Sequence, residues 1–403
     1  MNIISTIAKD LSVAREHRVE DAVVVRSLII FLILVTLSFG QNLPENELQV
    51  NLNGYFDNFG VVVAYPVISV TKQIGATTSI NGRYLVDMIS AASMKSLFRV
   101  DGVTSASKRT EGEGKFPDEI RHEFTGGVTQ LFGEVKASLN AIYSTEHDYY
   151  SRTIAADISL PFALKNTIIS LGVVKSWDIV APDNRDWQKD KNVISLSAGL
   201  TQNISPAWVM QMNLWYSNNT GFLNDAYQVV AINELGRVRF YSPAYPDSRD
   251  RRAASLRTVF SLDELSSLQL GYRYYWDTWD ISSNTANVLY QRHLSKNIRA
   301  ALGWRIYNQT KAYFFLPEYS GPVELMAVDS KLNESVSNEF ELSFKFASDV
   351  FKNTPLLNSI MKETAELSVG LNFYMRNTLT PDWHSRYRML YAYIFTLGYK
   401  YNF

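Results

Sequence analysis

The 403-residue sequence contains no cysteine. Its own side chains therefore cannot form a disulfide, a thiolate metal site, an iron–sulfur cluster, a c-type haem linkage or a lipoprotein anchor. We expect no cofactor, and any redox group that works with this protein would belong to a partner.

The sequence also lacks an excess of charge of either sign. Lys and Arg number 39 and Asp and Glu number 40, which gives a net charge of −1. Nucleic-acid binding depends on many Lys and Arg side chains that neutralise phosphates, so this balance argues against a nucleic-acid partner. A hydrophobic content of 46% with 20% charged residues indicates a folded chain rather than a disordered one.

Long apolar runs are scarce, and the only one covers residues 28–39, directly before Gly40. Twelve residues are too few to cross a bilayer but match the core of a signal peptide. We predict a signal peptide over residues 1–40 with cleavage after Gly40; the alternative is an N-terminal anchor helix. The stretch before Val23 is long and acidic for a signal peptide, which favours a start of translation at Val23, Val24 or Val25.

From residue 41 onward, apolar and polar residues alternate with a period of two in segments of about ten residues. No second long apolar run follows, and a membrane protein without spanning helices can cross only as a closed barrel, because every backbone polar group must be paired. We predict an all-β, transmembrane, antiparallel up-and-down barrel over residues 41–403. Its sixteen strands, to within two, are expected near 47–56, 60–72, 76–89, 120–131, 134–144, 150–161, 166–178, 191–203, 207–218, 251–262, 266–279, 284–294, 297–310, 336–347, 364–377 and 387–403.

The last strand shows the alternation best. Its odd positions from Met389 to Phe403 are all apolar or aromatic, whereas Arg388 and Lys400 fall on the even face. A basic side chain on the lipid face costs about 2–4 kcal/mol at the midplane, so this register is strongly preferred over a slip of one residue. We interpret Tyr399, Tyr401 and Phe403 as the C-terminal assembly signal for the barrel assembly machinery.

The predicted connections alternate between short and long. The short ones include 73–75, 132–134, 205–206 and 294–296, and the long ones are 91–119, 219–250 and 311–335. In outer-membrane barrels short turns face the periplasm and long loops face outside, which places both ends of the barrel on the periplasmic side. The connection 349–363 is long although it lies on that side, and we expect it to carry a short helix or a partner contact.

The same register predicts that charged side chains face the barrel interior. The residues expected to line the lumen are Arg83, Asp87, Arg257, Arg273, Asp277, Arg299, Arg305, Glu339, Glu341 and Arg376, with Glu123, Asp157, Lys345, Glu366, Arg388 and Lys400 on the same face. Such a lining would screen solutes by charge and size. The alternative is a set of internal ion pairs that plugs and stiffens the barrel. Because both signs occur in similar number, strong ion selectivity is not expected.

Two other clusters each have a functional interpretation and a purely structural one. Tyr272, Tyr274 and Trp276 would point outward as an interfacial aromatic girdle rather than a platform for ligand stacking. A loop cluster of arginines could bind lipopolysaccharide phosphates or be a solvated loop face. It comprises Arg237, Arg239, Arg249, Arg251 and Arg252.

Histidines give no sign of a metal site. The sequence has five, and no two have the spacing of metal ligands. His122, near Asp118 and Glu123, is the only candidate for a barrel hydrolase, but neighbours on a strand point to opposite faces. We assign no catalytic, cofactor or metal residues and expect no enzyme activity.

Several stretches resemble an uncharacterised family of bacterial outer-membrane barrels. They are RYLVDMISAAS (83–93), VTSAS (103–107), GFLNDAY (221–227), Tyr245-Pro246 with Arg249, and YRYYWDTW (272–279). The resemblance implies the barrel fold and, weakly, an envelope setting near thioredoxin-like proteins, lipoproteins and flavin-transfer enzymes. This sequence has Asp247 where the family usually has a basic residue, which puts any role of that loop in doubt.

The sequence therefore predicts a porin-like barrel in the bacterial outer membrane that passes small hydrophilic solutes. A second interpretation is a structural sleeve or anchor for an envelope partner, a lipoprotein or electron carrier, that docks on 91–119 and 219–250. A barrel hydrolase is third. The expected partners are outer-membrane lipid and lipopolysaccharide, the barrel assembly machinery and a periplasmic or lipoprotein partner.

Overall fold

A computed structural model of the protein describes residues 43–91, 119–182, 185–378 and 388–403. Within these ranges the chain forms a closed ring of sixteen antiparallel strands. Each strand pairs with its neighbours along the chain, and the last strand pairs with the first to close the ring. The predictions for residues 1–40, for His384 and for most of the loop 91–119 fall outside the described residues.

The barrel strands are β1 (Glu47–Asp57), β2 (Val61–Gln73), β3 (Thr78–Ala91), β4 (Glu119–Phe132), β5 (Val135–Thr145), β6 (Tyr149–Phe162), β7 (Thr167–Val180), β8 (Lys189–Ser205), β9 (Trp208–Gly221), β12 (Ser248–Ser261), β13 (Ser266–Asp277), β14 (Ser282–Ser295), β15 (Ile298–Gln309), β16 (Ser335–Ala347), β17 (Ala365–Thr378) and β18 (Met389–Asn402). A separate hairpin consists of β10 (Val230–Glu234) and β11 (Arg237–Tyr241). One short helix, α1 (Pro355–Ile360), and 3-10 turns at Ser330–Leu332 and Ser348–Phe351 complete the described elements.

The predicted fold class and strand count are confirmed. Each predicted strand overlaps one barrel strand, and no observed strand end differs from its prediction by more than three residues. The β10–β11 hairpin was not predicted and lies inside the expected loop 219–250. No helix among the described residues has the length and apolarity needed to span a membrane.

The outer surface of the barrel carries exposed apolar side chains. On β18, Tyr393 is 55% exposed and Phe395 40% exposed, whereas Ala392, on the opposite face, is fully buried. The neighbouring strands follow the same rule, with Leu302 on β15 59% exposed. This surface suits contact with lipid. On β18 the exposed and buried side chains alternate as the sequence predicted for the last strand.

The C-terminus contributes to closure of the ring. The backbone N–H of Phe403 donates to the carbonyl of Asn46 over 3.1 Å, next to the β1–β18 seam. Its ring stacks on Tyr401 at 6.1 Å and lies 4.9 Å from the ammonium group of Lys72. These contacts show how Phe403 is held, while its role in assembly stays a prediction.

The two ends of the barrel differ in their connections. At the end where β1 begins and β18 ends, which we call the short-turn end, most connections span two to four residues. The opposite, long-loop end carries the segments 222–247 and 310–334. The exception predicted at 349–363 does contain a helix, α1, and this segment touches outward-facing residues: the Tyr399 hydroxyl donates to the Ile360 carbonyl over 3.0 Å.

Candidate functional site

The strand register places all ten predicted lumen residues on the face opposite the exposed apolar side chains. Arg273 and Asp277, for example, alternate with the exposed Tyr272, Tyr274 and Trp276 on β13. Residues on this face can meet only within the ring, because each strand presents its other face to the outside. The ten therefore surround the interior at different heights and do not converge on one point.

Ion pairs join many of these residues along the wall. Arg83 contacts Glu123 at 2.7 Å, and Arg305 contacts Glu339 at 3.5 Å, in each case across a pair of adjacent strands. Arg249 forms another such pair with Asp277, and a group of three is formed by Arg299, Glu366 and Lys345. These contacts run along the wall between strands that are adjacent or separated by one strand, so they stiffen the ring rather than fill it.

The interior is filled instead at the long-loop end, by apolar residues of the two long loops. Ala312, Phe314, Phe315, Ala327 and Leu332 form a buried cluster with wall residues. The wall residues are Ala253 and Tyr275, which are paired on β12 and β13, and the adjacent Trp215 of β9. Since these wall positions face inward, segments 222–247 and 310–334, hereafter the mouth loops, fold into the barrel.

Trp279 anchors the mouth loops to the wall. It is 3% exposed, and its indole N–H donates to the Ser248 carbonyl over 3.0 Å. Tyr245 and Phe314, one from each mouth loop, contact its ring with centroids 5.8 and 5.1 Å away, and the Arg249 guanidinium lies 4.3 Å from it. One wall-end side chain thus holds both loops.

A second cluster joins the mouth loops to each other. Val230 and Ile232 of β10 are fully buried against Tyr319 and Met326 of segment 310–334. The backbones pair as well, because Ala244 and Met326 exchange two N–H···O bonds of 2.9 Å. The two loops therefore form one packed unit inside the mouth.

A cavity of about 690 Å³ remains between the mouth loops and the wall. Its lining includes Arg121 of β4, Ser151 of β6 and Tyr307 of β15, strands from different sides of the ring, so the cavity lies inside the barrel. Three of the stretches that carry the family resemblance, 221–227, 245–249 and 272–279, also contribute to it. We call this space the mouth cavity.

The mouth cavity is rich in Tyr and Arg side chains. Its lining includes Tyr149, Tyr227, Tyr245, Tyr275, Tyr307, Trp279, Arg121, Arg249, Arg251 and Arg273, together with Asp148, Asp225, Asp329 and Lys331. The Tyr227 hydroxyl donates to Asp148, which ties the first mouth loop to the β5–β6 turn. Burial raises the pKa of the Asp225 carboxyl above its ordinary value, although the N–H groups of Tyr227 and Gln228 donate to it.

Gly221 shapes the entry of the first mouth loop. Its φ is +99°, and a Cβ at this position would lie 2.3 Å from the carbonyl oxygen of Asp190. Only glycine fits such a conformation and such a close approach. The chain can therefore leave β9 and turn at once into the barrel.

The inward folding of the mouth loops was not predicted from the sequence. The sequence placed the long connections 219–250 and 311–335 at the outward-facing end of the barrel and did not predict whether they pack inside it. The signal that could have indicated burial is the run of five apolar residues at 312–316, because a solvated loop seldom carries such a run. The partners of that run, Trp215, Ala253 and Trp279, are too distant in sequence to be paired with it by pattern.

The arginine cluster predicted at 237–252 does not form one surface. Arg249 and Arg251 face the interior, whereas Arg252 is on the outer face beside Tyr216 and Asp250. Arg239 pairs with Glu234 on the β10–β11 hairpin at 3.2 Å. The sequence could not separate these residues, because the boundary between loop and strand at Ser248 decides their direction.

His122 is also separated from its supposed partners. It lies on the outer face, where its Nδ1 is 2.9 Å from the Tyr84 hydroxyl, while Glu123 faces inward to Arg83. Asp118 lies outside the described residues. Among the described residues, no group of three or more His, Asp or Glu is arranged to hold a metal ion.

The packing of the mouth loops can be tested with a disulfide, because the chain has no cysteine of its own. Residues that exchange two backbone hydrogen bonds have Cα atoms about 5.5 Å apart, which suits a disulfide. We expect Ala244→Cys/Met326→Cys to crosslink on mild oxidation, detected as a mobility shift that a reductant reverses. The control pair Leu235→Cys/Met326→Cys should stay reduced, since Leu235 projects fully into solvent. Equal crosslinking of both pairs would contradict the arrangement.

The fold and the inward-facing polar wall define the class: a closed sixteen-strand antiparallel barrel of the outer-membrane type. The chain belongs to the family described as "Protein of unknown function (DUF3570)", whose model matches residues 40–189 and 183–384. No curated protein matches the sequence.

Solved structures resemble the chain in fold. A bacterial polysaccharide outer membrane secretin has a TM-score of 0.50 and 7% identity, and the match covers 89% of this chain and 98% of that chain. The outer membrane channel DcaP of Acinetobacter baumannii has a TM-score of 0.41 and 11% identity, with 89% and 96% covered. The siderophore receptor PirA from Pseudomonas aeruginosa has a TM-score of 0.42 and 10% identity, with 83% covered. The match spans only 57% of that receptor's length.

Proposed function

We propose that the protein is a channel of the bacterial outer membrane that passes small hydrophilic solutes, with the mouth loops acting as a filter at its outer end. The observation that carries the proposal is the mouth cavity, a polar space inside the ring between the loops and a charged wall. The exposed apolar outer surface supports a membrane location, and the loop asymmetry supports an outward-facing long-loop end.

The wall nearer the short-turn end supports an open path. Seven glycines face inward on seven different strands: Gly127, Gly172, Gly199, Gly271, Gly303, Gly370 and Gly398. Amide side chains lie flat over some of them. A Cβ on Gly127 would be 2.0 Å from Asn140 Oδ1, and one on Gly271 would be 2.3 Å from Asn287 Oδ1. Polar groups are thus held against the wall instead of projecting across the lumen.

Planar-bilayer recording tests this proposal. Refolded protein should give stepwise ion currents, because water can follow the polar wall past the mouth cavity. The same preparation after heat denaturation is the control. Protein that shows β circular dichroism and inserts into the bilayer yet gives no steps at any voltage would contradict the channel.

The other two interpretations find less support. Of the two loops assigned to docking in a sleeve, 219–250 is packed into the mouth rather than displayed, and 92–118 lies outside the described residues. For a hydrolase, His122 and Glu123 lie on opposite faces of β4. Among the described residues, no specific contact favours the sleeve or the hydrolase.

A further inference from the structure

Charge is unevenly distributed around the interior. The inward faces of β9, β12, β13 and β14, all fully described, carry four arginines: Arg249, Arg251, Arg257 and Arg273. The only carboxylate on these faces is Asp277. This quarter of the wall is therefore basic, although the chain as a whole has a net charge of −1.

The Asp277 carboxylate is engaged by one guanidinium group and by several hydrogen-bond donors. Its side chain is 0% exposed and contacts the Arg249 guanidinium at 2.5 Å. It also accepts from the Tyr275 hydroxyl at 2.5 Å and from the backbone N–H of Trp279 at 2.9 Å and of Ile281 at 3.1 Å. These donors leave Asp277 little capacity to neutralise a second arginine.

Arg251 and Arg273 have no carboxylate partner within the described residues. Both guanidinium groups lie 5.6 Å from the Tyr275 ring, and Arg251 Nε also donates to the Tyr275 hydroxyl at 3.1 Å. Both line the mouth cavity, and Arg273 is exposed to it. Two cations thus face the same water-accessible space, flanking one aromatic ring.

The four arginines form a column along the wall, which we call the arginine track. The register sets Arg251 opposite Asp277, Arg273 opposite Ser255 and Arg257 opposite Gly271. Arg249 therefore lies nearest the mouth, followed by Arg251, Arg273 and Arg257. The eight residue steps from Arg249 to Arg257 span about 26 Å along a strand, a large part of the membrane thickness. The Arg257 guanidinium is held by Gln269 Oε1 at 2.5 Å and not by a carboxylate.

We infer that the arginine track conducts small anions and that Arg251 and Arg273 form its outer binding site, which takes an oxyanion such as a carboxylate or phosphate in the mouth cavity. Guanidinium groups bind such oxygens through charge-assisted, often bidentate hydrogen bonds. This inference rests on the proposed channel function. It replaces the expectation of weak ion selectivity. That expectation rested on the similar numbers of inward positive and negative side chains, whereas most of these charges are neutralised in ion pairs.

The test is the reversal potential of single channels in a KCl gradient. Wild-type protein should prefer chloride over potassium. Arg251→Gln/Arg273→Gln should lower the chloride-to-potassium permeability ratio several-fold, whereas Arg251→Lys/Arg273→Lys should retain most of it. Arg292→Gln is the matched control: it removes one arginine from the outer face of β14, so the ratio should stay unchanged.

A second measurement keeps the inference separate from the channel function. Inorganic phosphate or acetate is titrated into the detergent-solubilised protein and binding is measured by calorimetry. Saturable binding that the Gln double variant weakens tenfold or more supports the oxyanion site even if no current is seen. Conducting wild-type channels without anion preference would overturn the track, and anion binding unchanged in the Gln double variant would overturn the binding site.

Discussion

Deleting residues 313–331 should raise the single-channel conductance of this protein several-fold. The deletion removes Phe314, Phe315, Tyr319 and Met326 from the mouth, and it also removes the cover over Val230 and Ile232 of the other mouth loop. The other mouth loop should then loosen, because it keeps its wall contact between Tyr245 and Trp279 but loses the apolar cover that packs it inside the mouth. Conductance of the deletion variant is compared with that of the wild type in the same bilayers and salt.

The barrel should tolerate this deletion. The backbone N–H of Ala312 donates to the Leu332 carbonyl over 2.8 Å, so the ends of the deleted segment are already adjacent. An Asn-Gly linker suits a tight turn between two adjacent backbone segments of this kind. The control is replacement of residues 353–360 at the short-turn end with the same linker. It should leave the conductance unchanged, because this segment contacts the outer face of the barrel. Equal conductance of the deletion variant and the wild type would mean that the mouth loops do not limit flow.

Tyr319→Phe should loosen the mouth loops while leaving the barrel intact. The Tyr319 hydroxyl accepts from the N–H groups of Leu316 and Ala327 at 3.2 and 2.8 Å, and it is within 3.1 Å of the carbonyls of Phe314 and Ala327. The side chain is 6% exposed, so water cannot readily replace it. Each buried group left without a partner costs about 1–3 kcal/mol. A loss of roughly 2 kcal/mol would raise the open population of the segment about 30-fold.

Hydrogen–deuterium exchange measures this effect directly. Peptides from 310–334 should exchange faster in Tyr319→Phe, while peptides from β15 and β16 should keep their protection. Tyr313→Phe is the control, since Tyr313 is 52% exposed and no hydrogen bond is found for its hydroxyl within the described residues. Exchange in Tyr319→Phe at the wild-type rate would show that the hydroxyl does not organise this loop.

The two variants probe different levels of one structure. Tyr319 acts on a network inside one loop, whereas the deletion removes most of that loop together with its contacts to the wall and to the other mouth loop. If conductance rises in the deletion but not in Tyr319→Phe, the loop opens without leaving the barrel. A rise in both would indicate that brief local opening is enough to admit solute.

The sequence predicted the barrel wall well because the wall obeys a local rule. Each strand must present apolar residues to one side, and a slip of one residue would place a charge such as Lys400 among them. The number of strands to within two, their bounds to within three residues and the inward direction of Arg273, Asp277 and Glu339 follow from that rule.

The pairing of the inward-facing charges could not be predicted from the alternation of apolar and polar residues. Arg83 and Glu123 lie forty residues apart, and their contact depends on the register between β3 and β4. The sequence shows that both signs are present but not that Arg251 and Arg273 lack carboxylate partners among the described residues. The unpaired arginines changed the expected ion selectivity of the channel from weak selectivity to a preference for anions.

By itself, the sequence determined a closed ring of about sixteen strands, its lipid-like and polar faces and its unequal ends, since an alternation of two residues is a property of each short segment. Only the tertiary structure decided that the long loops turn inward, that Trp215, Ala253, Trp279 and Phe314 meet, and that a cavity with uncancelled arginines remains beneath them. The physical reason is that burial of a loop depends on apolar partners far away along the chain, and no local pattern specifies which segments will meet.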